Sequence, residues 1–316
     1  MIIDAHHHML PLTLDRNAIR LGAENHYAWY GRGARSEGVD VSLDEIEQRL
    51  LSWSPDPHGE KLLERMAKTG IDVTVLCIVD NVDQGFSEEQ ILSINRTCAD
   101  IARESHGKLL ALAGVDPRRP KAPELLRRCI EDYGMRGLKW HPDSGYYPNS
   151  EEAYAVLRVA EKLGIPLLTH TGPLPLGAHP QPRRSKCSQA SLLDDVCQDF
   201  PGLKVIAAHM GRFNWRDWAS LAQFRRNLYG DLAMWQIIAV ARYERFCRDL
   251  RDIMDIAGSD SILFGSDGLG FPAMVPNEQF IQILRDLPRK APPGIKFTEQ
   301  EIAGILGENA RKVFGL

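Results

Sequence analysis

The sequence predicts a (β/α)8 barrel, the TIM-barrel class of α/β fold, with a long insertion after the first strand. Eight short apolar runs recur along the chain, each trailed by a segment with helical spacing. Strands without polar alternation, separated by helices, belong to a parallel sheet covered on both faces, and eight such repeats close a barrel. The 316 residues suit one barrel with added loops. No linker, charge block or low-complexity stretch divides them, so residues 1–316 are read as one domain. The rival architecture, an open doubly wound sheet, calls for a glycine-rich turn after its first strand. This chain has His6, His7 and His8 there.

The elements follow in order. Ile2–His8 reads as the first strand, and a period of two sets Asp4, His6 and His8 on one face with His7 on the other. Residues 9–58 form a long irregular excursion containing Trp29, Arg32, Arg35 and Trp53. A loop of this length reads as surface decoration or as a lid over a site, and the arginines and aromatics favour the lid. Helical pattern then covers 59–69, 87–104, 122–133, 151–163, 191–200, 216–226, 243–257, 277–286 and 298–306, with 309–314 closing the chain. Between these lie the apolar runs 71–79, 108–116, 137–141, 165–170, 203–209, 227–232 and 262–267, two of them stopped by Pro117 and Pro142.

Composition excludes several classes. Thirty-eight basic residues against 42 acidic ones leave no footprint for nucleic acid or an anionic membrane. No apolar run approaches the roughly 20 residues of a membrane span, and no secretory signal opens the chain, so the expectation is a cytoplasmic protein. The six cysteines are scattered without a Cys-x-x-Cys pair, which points to buried reduced thiols. The partner expected is a small-molecule substrate, with a homodimer as the commonest default.

In a barrel, chemistry sits at the C-terminal strand ends. Those ends carry His6 and His8, Lys139 and His141, His170, His209, and Asp267. Imidazoles and a carboxylate meeting at one mouth, with a coordination position left open, are what a catalytic divalent cation needs. The segment Gly265–Gly270 reads alternatively as a phosphate cradle, although a carboxylate in its middle would repel phosphate.

Asp4, His6 and His8, with Thr169-His170-Thr171-Gly172, Ala208-His209-Met210-Gly211, Phe264-Gly265-Ser266-Asp267 and the closing Ile305–Phe314 segment, resemble the amidohydrolase superfamily. Within it they are similar to the amidohydrolase-2 group, which includes metal-dependent hydrolases and relatives of aminocarboxymuconate-semialdehyde decarboxylase. The resemblance implies metal ligands His6, His8, His170 and Asp267, and a single divalent ion, zinc before manganese. It implies His209 as an acid/base beside them and a second catalytic role for Asp267 as acceptor of a water proton. Lys139 either fills an inner barrel layer against a carboxylate such as Asp4 or, carboxylated as in dihydroorotases, bridges two ions. In the second case His170 and His209 serve the second ion. Asp4 is expected to orient strand 1 through hydrogen bonds and His7 to be structural. His141, Arg212, Arg35 and Trp29 are the expected substrate contacts.

The resemblance offers two chemistries. The first reading is a hydrolase attacking an amide, ester or lactone carbonyl of a small carboxylate-bearing or aromatic substrate, favoured by the strand-4 Lys139-Trp140-His141-Pro142. The second is a non-oxidative decarboxylase of a small aromatic or unsaturated acid, favoured by the insertion. A catalytically inactive barrel that binds metal or ligand is the third.

Overall fold

Parallel pairing of neighbouring strands organises the molecule. The computed structural model describes residues 1–9, 19–20, 23–24, 27–28, 41–53, 56–173, 184–268 and 270–316. Its strands are β1 (Ile3–His8), β2 (Val73–Cys77), β3 (Leu109–Gly114), β4 (Leu138–Trp140), β5 (Leu167–His170), β6 (Val205–Ala208), β7 (Leu228–Asp231) and β8 (Ile262–Leu263). They follow sequence order in one sheet, each parallel to the next. The fold is the predicted (β/α)8 barrel.

Alternation along the strands sorts their side chains into two layers. Ile3, Ala5, Val75, Leu112, Leu168, Ile206 and Leu263 fill the inside, where Val313 and Phe314 of the C-terminal helix join them. Leu76, Leu138, Leu167 and Val205 point outward into the larger core shared with the surrounding helices. All six cysteines are buried free thiols. Among the described residues no helix is long and apolar enough to cross a membrane.

Barrel closure between β8 and β1 departs from a regular ladder. The expected strand 262–267 is regular only over Ile262–Leu263. Beyond it, Ala5 N–H donates to Phe264 O at 2.9 Å, and the N–H groups of Ser266 and Asp267 donate to His6 O at 3.2 and 2.8 Å. These bonds stitch the seam while releasing Asp267 from the strand geometry.

The even alternation expected of β1 is also broken. Asp4 pairs with Thr74 but His7 pairs with Leu76, so three steps on β1 match two on β2. This β-bulge inserts one residue, so Ala5 and His6 both face inward and Asp4 turns outward with His7. The expectation that Asp4, His6 and His8 share a face is corrected accordingly. Asp4 does orient the strand: its Oδ1 accepts from Ser266 N–H at 2.8 Å and from His6 N–H at 3.3 Å.

One described stretch between β1 and β2 is helical. Leu43–Trp53 starts at a reciprocal cap in which Ser42 Oγ accepts from Glu45 N–H and Glu45 Oε2 accepts from Ser42 N–H. Ile46 and Leu50 share an apolar cluster with Met234, Ile237, Phe271 and Met274, residues of the loops after β7 and β8. Trp29 and Arg35 lie outside the described residues.

Gly268 marks the tightest point of the seam. Its φ is +82°, and a Cβ there would lie 2.4 Å from His8 O and 2.5 Å from His8 N. Gly268→Ala is therefore expected to lower stability by about 2–4 kcal/mol, since overpacking and a left-handed backbone act together. Urea denaturation of the metal-free protein checks this; an unchanged midpoint would contradict the packing.

Candidate metal centre

Six strands deliver titratable side chains to the barrel mouth. The bulge brings His6 inward, His8 ends β1, Lys139 lies on β4 and His170 ends β5. Asp231 ends β7, His209 follows β6 directly, and Asp267 lies four residues beyond the end of β8. His209 and Asp267 both have φ of +66°, a left-handed conformation uncommon outside glycine. Such strain persists where surrounding contacts over-determine it, often at functional sites.

His6 Nε2 stands 3.0 Å from His8 Nε2 and 3.4 Å from Asp267 Oδ1. His8 Nε2 to Asp267 Oδ1 is 3.8 Å. Metal bonds near 2.1 Å at tetrahedral or octahedral angles place donors about 3.0–3.6 Å apart. Two of the three separations lie in that range and the His8–Asp267 one, at 3.8 Å, slightly beyond it, so a small rotation of either side chain brings the three donors onto one divalent ion. Their chemistry fits too, because two imidazole nitrogens and a carboxylate oxygen face one another with little solvent between them.

Hydrogen bonds fix the tautomers. His6 Nδ1 lies 3.0 Å from Asp231 Oδ2, so it carries the proton and Nε2 presents its lone pair to the donor cluster. His209 Nδ1 lies 3.0 Å from Ala233 O, a pure acceptor, so its Nε2 lone pair faces Asp267 Oδ1 at 3.8 Å. Asp231 was not singled out from the sequence, yet it organises both histidines. Its Oδ1 also accepts from the N–H groups of His209 and Ala233 at 2.9 and 3.0 Å. Such carboxylate–histidine contacts orient metal ligands and raise their basicity.

His170 stands apart from the His6–His8–Asp267 cluster. Its Nε2 is 3.1 Å from Gly172 O, which requires a proton on that atom and leaves Nδ1 as its only lone pair. Its ring stacks on His141 at 4.6 Å and meets His209 edge-on at 5.0 Å. His141 is held through Nδ1 by Asp143 Oδ1 at 2.8 Å. Lys139 Nζ lies 2.8 Å from His6 Nε2, not against Asp4. Arg212, also with positive φ, lines a small aromatic cleft with Phe213, Trp215 and Trp235.

Burial governs the protonation states. It holds His6, His8 and His209 well below the ordinary histidine range and takes His170 down to about 3. It lowers Lys139 as well. Burial pushes Asp267 up to about 8, against the opposing pull of Lys139, and it raises Asp231. The imidazoles are thereby neutral and ready to ligate, whereas the Asp267 carboxyl has to release a proton when a cation binds.

A pH dependence follows for the metal-stripped protein. Below about pH 6.5 the unfolded chain binds protons that the buried imidazoles of His6, His170 and His209 refuse, so stability falls by about 1.4 kcal/mol per pH unit for each. Asp267 acts oppositely: between about pH 4 and 8 the folded chain keeps a proton that the unfolded chain has shed, so stability declines as pH rises. Together they place maximal stability near pH 6.5, with the steeper loss on the acid side. Denaturant titrations at pH 5, 6.5 and 8 measure it; a flat profile from 5 to 6.5 would refute neutral burial of the histidines.

The family model Amidohydro_2, described as amidohydrolase, matches residues 3–316. Similar solved structures include an uncharacterized TIM-barrel protein from Bordetella bronchiseptica, 20% identical over 99% of this chain and 98% of that one, with a TM-score of 0.67. Another is 5-carboxyvanillate decarboxylase from Sphingomonas paucimobilis, at 18% identity over 100% and 99% of the two chains and a TM-score of 0.64. A third is a dihydroxybenzoic acid decarboxylase from a Polaromonas species with bound manganese and the inhibitor 2-nitroresorcinol, at 17% identity over 100% and 97% and a TM-score of 0.65. No curated protein matches the chain significantly. At these identities the likeness carries the fold.

Proposed function

The chain belongs to the amidohydrolase family, and from that premise we propose that it is a metal-dependent carboxy-lyase acting on a small aromatic or unsaturated acid. This is the second of the two sequence readings. The observation that carries it is Arg212 at the wall of an aromatic cleft, close enough to Asp267 to oppose that carboxyl's high basicity. A guanidinium that acts electrostatically on Asp267 can also attract a substrate carboxylate towards the donor cluster. The decarboxylase titles of two similar structures support the same reading.

In this proposal His6, His8 and Asp267 would hold the ion, and His170, sequence-predicted as a ligand, stays outside this set with its Nε2 tied to Gly172 O. When bound, a divalent ion supplies positive charge that stabilises the electron pair left behind as CO2 departs. The chain does the rest. Arg212 and the neighbouring aromatic rings orient the acid, and His141 contacts it from the β4 side. The bond from the substrate carbon to its carboxylate breaks, the electron pair stays on that carbon, and a proton replaces CO2. His209 Nε2, 3.8 Å from Asp267 Oδ1, carries that proton. Burial of His6, His170 and His209 keeps water from competing. Residues 9–58 serve as the cover, and residues 1–316 act as one domain.

Hydrolysis is the second reading, favoured by Lys139 beside His6. Carboxylated, that lysine would extend the donor set towards His170 and His209 and suit attack by activated water.

The test is product analysis with manganese- and zinc-loaded protein. Hydroxybenzoic and carboxyvanillic acids are expected to release CO2, and Arg212→Ala to raise KM about 10- to 100-fold through loss of a charge-assisted contact. Hydrolysis of aryl esters or lactones without CO2 release from any acid would overturn the lyase assignment.

A further inference from the structure

A second cavity lies behind β1, on the face opposite the metal donors. Its volume is about 320 Å3, and Arg49, Arg65, Lys68, Thr74, His7 and Asn277 line it. This volume lies at the lower end of the range for small-molecule sites.

The cavity is polar in a way the protein itself leaves unsatisfied. Arg65 Nη1, Thr74 Oγ1 and Asn277 Oδ1 are buried and have no hydrogen-bond partner among the described residues. Thr74 is fully buried. The Arg65 guanidinium lies 5.1 Å from the centre of the Trp53 ring, which braces one of its faces and leaves its edge for hydrogen bonding. Burial takes Arg65 down to about 10, with Asp56 opposing. Asp56 itself is engaged by the N–H groups of Lys61 and Leu62. Arg49 adds a second guanidinium, fixed by its bond to Ala273 O at 2.5 Å, and Lys68 adds an ammonium.

Two carboxylates also line the space, Asp4 and Glu278. Asp4 is already used by Ser266 N–H and His6 N–H, and its Oδ2 lies 3.4 Å from His7 Nδ1. Glu278 is exposed to solvent. Two guanidinium groups, Arg49 and Arg65, therefore face inward against the already hydrogen-bonded Asp4, while Lys68 and Glu278 stand opposed at the exposed rim. A buried guanidinium N–H group without a partner, as at Arg65 Nη1, is costly, and an oxyanion answers it with a charge-assisted N–H···O bond.

We infer that this cavity is a binding site for a small oxyanion, a carboxylate or a phosphate, separate from the metal centre. Arg65 grips the anion, Arg49 and Lys68 complete the positive wall, and Thr74 donates its hydroxyl. Rotation of the Asn277 amide, whose O and N are interchangeable in shape, presents a further donor. The site also touches the metal centre from behind. His7 lies between His6 and His8 in sequence, and its Nδ1 is 3.0 Å from Ser266 Oγ, one residue before Asp267. An anion seated here would brace both halves of the donor set.

The test is thermal denaturation and calorimetric titration of the metal-loaded protein with inorganic phosphate and, separately, with succinate. One of the two is expected to give a saturable rise in Tm, and which one does so identifies the anion class. Arg65→Met should weaken that binding at least about 10-fold. Lys68→Glu, at an exposed position that does not threaten folding, should weaken it in the same direction. Asp267→Asn should leave it intact, which separates this site from the catalytic proposal. Absence of saturable binding by either anion would overturn the inference. So would binding that survives both Arg65→Met and Lys68→Glu, or binding lost in Asp267→Asn.

Discussion

Asp267→Asn is expected to empty the centre of metal and to reduce kcat/KM by at least about 10^3-fold, the scale of losing a group that both ligates and transfers a proton. The amide is nearly isosteric, so the backbone bond from residue 267 to His6 O should persist. Only the charge is lost. Because burial pushes the Asp267 carboxyl up to about 8, its ionised form is disfavoured in the metal-free protein. The variant should accordingly be no less stable than wild type at pH 8 without metal, yet gain nothing from added Mn2+ or Zn2+. Elemental analysis and metal-dependent Tm measure both halves. Full metal occupancy in Asp267→Asn would remove this residue from the ligand set.

Asp231→Asn should weaken metal binding about 10- to 100-fold, the usual cost of losing an outer carboxylate partner. The mechanism is tautomeric. An amide NH2 facing His6 Nδ1, now 3.0 Å from Asp231 Oδ2, would favour the proton on Nε2 and so remove the lone pair from the donor cluster. The remaining amide oxygen can still accept from His209 and Ala233 N–H. Asp231→Ala goes further, stranding the buried His6 N–H and two backbone donors, and should destabilise the fold by about 3–5 kcal/mol. Chelator competition gives the metal affinity and urea titration the stability. Wild-type affinity in Asp231→Asn would show that Asp231 plays no part in aligning His6.

These two carboxylates differ in how visible they were beforehand. Asp267 stands in a short motif at a strand end, and the strand-end rule together with the His6–His8 pair was enough to select it. Asp231 has no motif around it. What marks it is burial at the end of β7 together with bonds to His6 and His209, which are distant in sequence; a carboxylate closing an apolar run was the one available clue. Strand order and the barrel were legible because uniform apolar runs alternating with helices admit few other layouts. The β1 bulge was not, since its extra residue appears only in the pairing with β2. The capped helix Leu43–Trp53 could have been found from Ser42 and Glu45, but the surrounding glycines and prolines masked it. Placement of His170 depended on a bond to its own neighbour's carbonyl, which residue type alone does not reveal.

The seam between β1 and β8 also has a consequence for how the protein matures. His6 and His8 precede Asp267 by some 260 residues, so the proposed donor set would be complete only once the final strand has docked. Ion capture would then act late in biogenesis: chains ending before Gly265 would lack the acidic donor, and a cation spanning the seam would latch together the first and last strands.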